Sequence, residues 1–201
     1  MKKTLKQLAL ITILSVFTFA CDSKNEKDEG TKNNNEQTNV EESNEVSDLL
    51  NLITKSGNLL EIKTYDVGKF RNVKFQVKKI TDINSSEVST FANIEINYED
   101  RFYYYTEDAL IVQREIQDFI NALEIIKNNY TNTTMDTETI AGYISSGGVR
   151  IRAIYRNNRW RYEFHVNHRK NDAGVSFTQS DFDTLIALFR ETDEKINELN
   201  N

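Results

Sequence analysis

Among its 201 residues the chain has no proline, one cysteine, one tryptophan and two histidines. A single cysteine excludes an intramolecular disulfide, and without a second thiol the globular part has no means of thiol catalysis. His165 and His168 are three residues apart on an expected strand and point to opposite faces, so no shared metal is expected. Glycine is sparse as well. The run Ser145-Ser146-Gly147-Gly148 lacks the lysine and the following helix of a phosphate-binding loop, and it reads as a turn. No triad-like grouping of serine, histidine and acid stands out, so neither a catalytic residue nor a cofactor is assigned. The missing proline accompanies frequent Asn and Lys, a bias that an AT-rich coding sequence explains and from which nothing functional follows. Long apolar runs are lacking too. The longest, Leu8 to Ala20, falls short of the roughly 20 residues a helix needs to cross a bilayer.

What is present begins at the N-terminus. The segment MKKTLKQ carries three lysines, the apolar run follows, and small Ala20 precedes Cys21, which is the layout of a secretion signal over residues 1–20. Thr18-Phe19-Ala20-Cys21 resembles the lipobox of bacterial lipoproteins, departing from it at Thr18, where leucine is commonest. The resemblance implies that the signal is cut before Cys21, that the thiol receives a diacylglyceryl group, and that the new amino group is acylated. Membrane lipid, through the Cys21 acyl chains, is then the first partner. Two or three chains at ~0.8 kcal/mol per buried methylene hold a protein on a membrane in effect permanently.

From Asp22 to about Ser47 the residues are almost all polar or charged, too few of them apolar to offset the entropy of ordering, so residues 21–46 are expected to be a lipidated, disordered tether. As a flexible coil it would span roughly 25–30 Å. The triplet Lys27-Asp28-Glu29 is similar to short acidic signals that send some lipoproteins to the outer face of the outer membrane, although any acidic linker contains such triplets. The expected location is therefore the cell envelope, at the outer membrane, with a periplasmic or surface-facing domain both open.

Residues 47–201 read as one globular α+β domain. After a short helix over Val46–Thr54, period-2 alternation predicts strands over Leu59–Asp66, Asn72–Ile80, Val88–Tyr98 and Arg101–Val112, the last with a break near Thr106–Asp108. Glu115–Asn128 then places Ile116, Phe119, Ile120, Leu123 and Ile126 on one helical stripe. The plan repeats as strands over Thr139–Ile144, Val149–Arg156, Arg159–Asn167 and Gly174–Thr178, followed by a helix over Ser180–Leu199. An echo in the residues supports the repeat, since IVQREIQDFINAL from Ile111 aligns with FTQSDFDTLIALF from Phe177. Thr178 and Asp181, three apart, form a capping-box pattern. The prediction is two antiparallel four-stranded sheet-plus-helix units, about 58–130 and 137–200, in pseudo-symmetric tandem.

The run Ala173–Thr178 leading into Ser180–Leu185 resembles the last strand and helix start of the Whirly and PUR-alpha group, whose units are four strands followed by a helix. That group binds single-stranded nucleic acid, which the resemblance implies as one reading of this chain.

The most unusual stretch is Val149 to Lys170, where Arg150, Arg152, Arg156, Arg159, Arg161, Arg169 and Lys170 face a single acid, Glu163. Asn157-Asn158 suits a two-residue hairpin turn. Alternation buries Val149, Ile151, Ala153 and Tyr155 with Trp160, Tyr162, Phe164 and Val166, and it projects Arg150, Arg152, Arg159 and Arg161 from the opposite face. Guanidinium forks suit phosphate and carboxylate oxygens, so these four arginines are the candidate ligand-binding residues. The plain alternative is a solvated face balanced by Glu95, Glu99 and Asp100 on a neighbouring strand. Because the aromatic residues alternate inward, nucleic acid is disfavoured. Tyr103-Tyr104-Tyr105 reads as strand packing on both faces rather than a sugar platform.

Three functions remain to be weighed. One is a non-enzymatic binding or interaction module at the envelope, with an anionic envelope ligand or a protein as partner. Another is an envelope hydrolase, which needs a deep cleft with a shifted carboxylate or histidine. The third is a single-stranded nucleic-acid-binding domain, which needs an arginine face with exposed rings.

Overall fold

Alternating burial along the chain produces two antiparallel sheets, each with one face turned to a shared core. The computed structural model describes residues 59–100 and 103–201, together with Asn51, Ile53, Thr54 and Gly57 ahead of them. The signal, Cys21, the tether and most of the helix expected over Val46–Thr54 lie outside the described residues. The first sheet runs in sequence order β1 (Leu60–Phe70), β2 (Val73–Asp82), β3 (Val88–Asp100), β4 (Tyr103–Ile111). Helix α1 (Gln113–Asn129) follows, then the second sheet, β5 (Thr139–Ile144), β6 (Arg150–Arg156), β7 (Arg159–His165), β8 (Gly174–Phe177), and finally α2 (Phe182–Asn200), entered through a 3-10 turn over Gln179–Asp181. This is the expected α+β tandem of two four-stranded units.

Local chemistry accounts for the boundaries. Asn157 and Asn158 both take left-handed backbone angles, φ 54° and 58°, as a two-residue hairpin turn requires, and Arg156 pairs with Arg159 across it. The Asp181 carboxylate accepts the Thr178 backbone N–H at 2.8 Å, closing the capping box. Strand β4 is unbroken through Thr106–Asp108, because the β3 pairing holds Thr106, Glu107 and Asp108 in register against Asn97, Ile96 and Glu95. Strand β1 reaches Phe70, past the expected end at Asp66, by absorbing a bulge between Asp66 and Gly68.

The bulge shows how the halves are joined. A Cβ on Gly68 would stand 2.5 Å from Leu188 Cδ2 of α2, so the glycine lets the last helix lie close on the first sheet. Helix α2 packs on β1, β2 and β3, whereas α1 packs on β5 and β6. Each helix therefore covers the sheet of the other unit. The helices run antiparallel, with Gln113 Nε2 donating to Asp193 at 2.9 Å and Asn197 at 2.8 Å, and with Lys127 meeting Asp183 at 2.6 Å. Gln179, which aligns with Gln113 in the repeat, donates to Asn132 just beyond α1.

The core mixes both halves. Phe75 of the first sheet stacks near Phe164 of the second at 6.0 Å, and Phe119 and Phe189 from the two helices stack at 4.9 Å, all four being buried. Burying a phenylalanine contributes about 1.5–3 kcal/mol. The turn at Ser145–Gly148 is a second junction. Its Ser146 N–H donates to the buried Glu115 carboxylate of α1, and a Cβ on Gly147 would stand 1.9 Å from the Leu110 carbonyl oxygen of β4.

Candidate functional site

The register of the second sheet fixes which side chains share its outer face. Arg150 pairs with His165, Arg152 with Glu163, Ile154 with Arg161 and Arg156 with Arg159. On the flanking strands Ile140, Gly142 and Ile144 of β5 fall beside Ile154, Arg152 and Arg150, while Gly174 and Ser176 of β8 fall beside His165 and Glu163. Arg150, Arg152, Arg159 and Arg161 thus share one face, as alternation predicts, and Val149, Ile151, Ala153, Tyr155, Tyr162, Phe164 and Val166 are buried on the other. Trp160 is half-buried, its indole N–H donating to the Thr133 carbonyl at 2.7 Å.

The four arginines are not equivalent. Arg152 is bound, with Nε at 2.7 Å and Nη2 at 2.6 Å from one oxygen of Glu163, Oε2, which also receives His165 Nε2 at 3.1 Å. Two glycines make room for this cluster. A Cβ on Gly174 would stand 2.5 Å from His165 Nδ1, and one on Gly142 would stand 3.1 Å from Arg152 Cβ. Burial works against the Glu163 charge, but hydrogen bonds from Arg152 and His165 outweigh it and hold the carboxyl below its ordinary 4.5. Burial pushes His165 below its ordinary 6.5 against the opposing Glu163 hydrogen bond, and the Arg150 and Arg152 charges push the same way as burial.

Arg150, Arg159 and Arg161 have no acidic partner among the described residues. Burial and the neighbouring Arg152 charge lower the Arg150 pKa, and its Nε and Nη2 are enclosed without a hydrogen-bond partner. Arg159 and Arg161 are exposed. Arg156, outside the predicted set, pairs with Glu138 at 2.7 Å. The acids expected to balance the face are elsewhere. Glu95 lies in the other sheet, bonded to Lys74 at 2.7 Å, and Glu99 is on the same strand, β3. Glu163 itself is the balancing acid: it bonds Arg152 and His165 directly and acts on Arg150 only through its charge.

Neither Glu163 nor His165 is among the ligand-binding candidates that the sequence offers. Their pairing with Arg152 and Arg150 was readable only from hairpin register, and the Asn157-Asn158 turn was the signal that could have supplied it. His168 lies beyond β7, where its Nδ1 meets the Gly148 carbonyl at 3.2 Å. Among the described residues no group of three or more His, Cys, Asp or Glu could hold a metal, and no helix is long and apolar enough to cross a membrane. The phosphate-loop alternative at Ser145–Gly148 meets a specific obstacle, because the Ser146 N–H is already engaged by Glu115.

A shallow, open cavity of about 330 Å³ lies beside the cluster, lined by Arg152, Glu163, His165, Asn171, Gly174, Val175 and Ser176. Its carboxylate is held charged, the reverse of what a general acid needs. The tyrosine run departs from its expected packing role. Tyr104 is 85% and Tyr103 66% exposed, and Tyr105 stacks on Tyr98 at 5.5 Å. No protein-family model and no curated protein matches this chain.

Proposed function

We propose that the chain is an exported lipoprotein, anchored in the envelope membrane through acyl chains on Cys21, whose globular domain is a non-enzymatic module that binds an anionic ligand on the outer face of the second sheet. The observation that carries the binding is the excess of arginine there: Arg159 and Arg161 are exposed, Arg150 has two enclosed nitrogens without a hydrogen-bond partner, and none of the three forms an ion pair with an acid among the described residues. An uncompensated guanidinium is a strong donor to phosphate or carboxylate. The lipobox-like Thr18–Cys21 supports the anchor.

The enzyme reading is weaker because Glu163 is locked to Arg152 and the adjoining cavity is open. The resemblance to the Whirly and PUR-alpha group lies in Ala173–Leu185 and otherwise in element order, and the hairpin's rings turn inward, so the face offers nucleic acid charge without stacking.

Two measurements test the proposal. A Cys21→Ser chain should leave the membrane fraction on detergent partitioning, and retention there refutes the anchor. The pair Arg159→Glu and Arg161→Glu should abolish binding to polyphosphate and to acidic polysaccharide, whereas unchanged binding to both refutes the anion site.

A further inference from the structure

The outer face of the second sheet is not only cationic. Ile140 is 61% and Ile144 50% exposed on β5, at the edge of the sheet, and Ile154 of β6 pairs with Ile140. Across the strands the face grades from isoleucine on β5, through arginine on β6 and β7, to Gly174 and Ser176 on β8. The corresponding face of the first sheet is finished differently. There Ile80 and Phe91 are buried, packed against Leu60, Leu110 and Ile53 from the segment before β1, while Ile62, the β1 partner of Ile80, is 52% exposed. Both edge strands thus carry exposed isoleucine, but among the described residues the second sheet sets it beside arginines that form no ion pair.

We infer that this face rests on an anionic lipid bilayer, with Arg159 and Arg161 on headgroup phosphates and Ile140 and Ile144 among the first acyl carbons. The inference rests on the anion-binding reading and names its ligand as the membrane itself. A bilayer surface supplies anionic oxygens and hydrocarbon side by side over a wide, nearly flat area, as a sheet face requires, whereas a soluble polyanion supplies only the first. An anchor on Cys21 would hold that surface within the ~25–30 Å reach of a flexible tether, so a weak docking contact gains from high effective concentration.

The test uses the mature chain, residues 21–201, with Cys21→Ser so that no lipid anchor contributes. Sedimentation with phosphatidylcholine vesicles is compared with vesicles that also contain phosphatidylglycerol, and polyphosphate serves as the soluble probe. Binding only to the anionic vesicles is expected, weakening as salt is raised. Each surface arginine contributes about fivefold, so Arg159→Gln with Arg161→Gln should cut vesicle affinity roughly 25-fold, and the two lysine replacements should restore most of it. Ile140→Ser with Ile144→Ser should cut vesicle affinity about tenfold while leaving polyphosphate binding unchanged.

Vesicle binding that ignores both isoleucines overturns the lipid inference and leaves the anion-binding reading standing. So does tight binding of polyphosphate with none to vesicles. Loss of neither ligand in the arginine variants overturns both. Circular dichroism of the exposed-residue variants should match the parent, and a variant that unfolds is replaced by Ile144→Thr or Arg161→Gln alone.

Discussion

The two sheets have the same strand order, a helix of similar length packed on each and a common core, yet their outer faces are finished differently. On the first sheet the polar side chains satisfy one another across the strands. Lys74 meets Glu95, Lys78 donates to Asn93 at 3.1 Å, Gln76 donates to Asp66 at 2.7 Å, and Thr106 donates to Asn97 at 2.6 Å. On the second sheet one cluster, Arg152–Glu163–His165, is closed, and Arg150, Arg159 and Arg161 around it are left over. The repeated scaffold thus carries a self-contained polar lattice on one face and arginines without an ion pair on the other. Fold alone would not have separated them, because backbone pairing is blind to what the outward side chains carry.

The largest expected effect tests whether the comparison concerns two faces of one body or two independent domains. Phe189→Ala removes a ring that contacts Phe75, Phe119 and Phe164, and it should cost about 3–5 kcal/mol. Because each helix covers the other unit's sheet, denaturant unfolding should remain a single transition at a lower midpoint. Two separable transitions would mean that the sheets fold independently.

A smaller effect separates the two ion pairs. Arg152→Met leaves Glu163 without its double donor, and a loss of about 1–2 kcal/mol is expected in urea titration. Lys74→Met breaks the more exposed pair on the first sheet and should cost less than Arg152→Met. Equal losses would remove the distinction between a built cluster and an ordinary surface pair.

The smallest effect is in pH dependence. The folded-state pKa values of Glu163 and His165 both lie below their ordinary values of 4.5 and 6.5. Each group therefore contributes stability that is complete above its ordinary value and is lost as pH falls through its folded one. Thermal midpoints should start to drop below about 6.5 and drop further below about 4.5. His165→Asn should remove the first step and leave the second, and an unchanged upper step would place its origin elsewhere.

Much of the fold was legible in the residues. Period-2 alternation in Val73–Asp82 and Arg150–His165, the helical stripe of Ile116, Phe119, Ile120, Leu123 and Ile126, and the Asn157-Asn158 turn are local signals, and local geometry is what they encode. The helix exchange was not legible, because α1 and α2 present similar apolar stripes and either sheet would satisfy either stripe. Gly68 against Leu188, Lys79 against the Leu199 carbonyl and Glu115 against the Ser146 N–H record the choice, and none of these residues announces its distant neighbour in the sequence. The exposure of Tyr103 and Tyr104 was missed for a related reason. Strand period says which face a ring takes, but whether that face is covered at that point depends on how far the neighbouring elements extend.

The candidate site divides along the same line. That Arg150, Arg152, Arg159 and Arg161 would share a face was determined by the sequence, because alternation and a two-residue turn leave the hairpin only one register. The Arg152–Glu163 contact follows from the same register. Tertiary structure decided what else balances and covers that face: Glu95 lies in the other sheet, and among the described residues Ile140, Ile144, Arg159 and Arg161 are left uncovered while Ile53 closes over Ile80 and Phe91. Such balancing and covering are relations between segments distant along the chain, and no local pattern carries them.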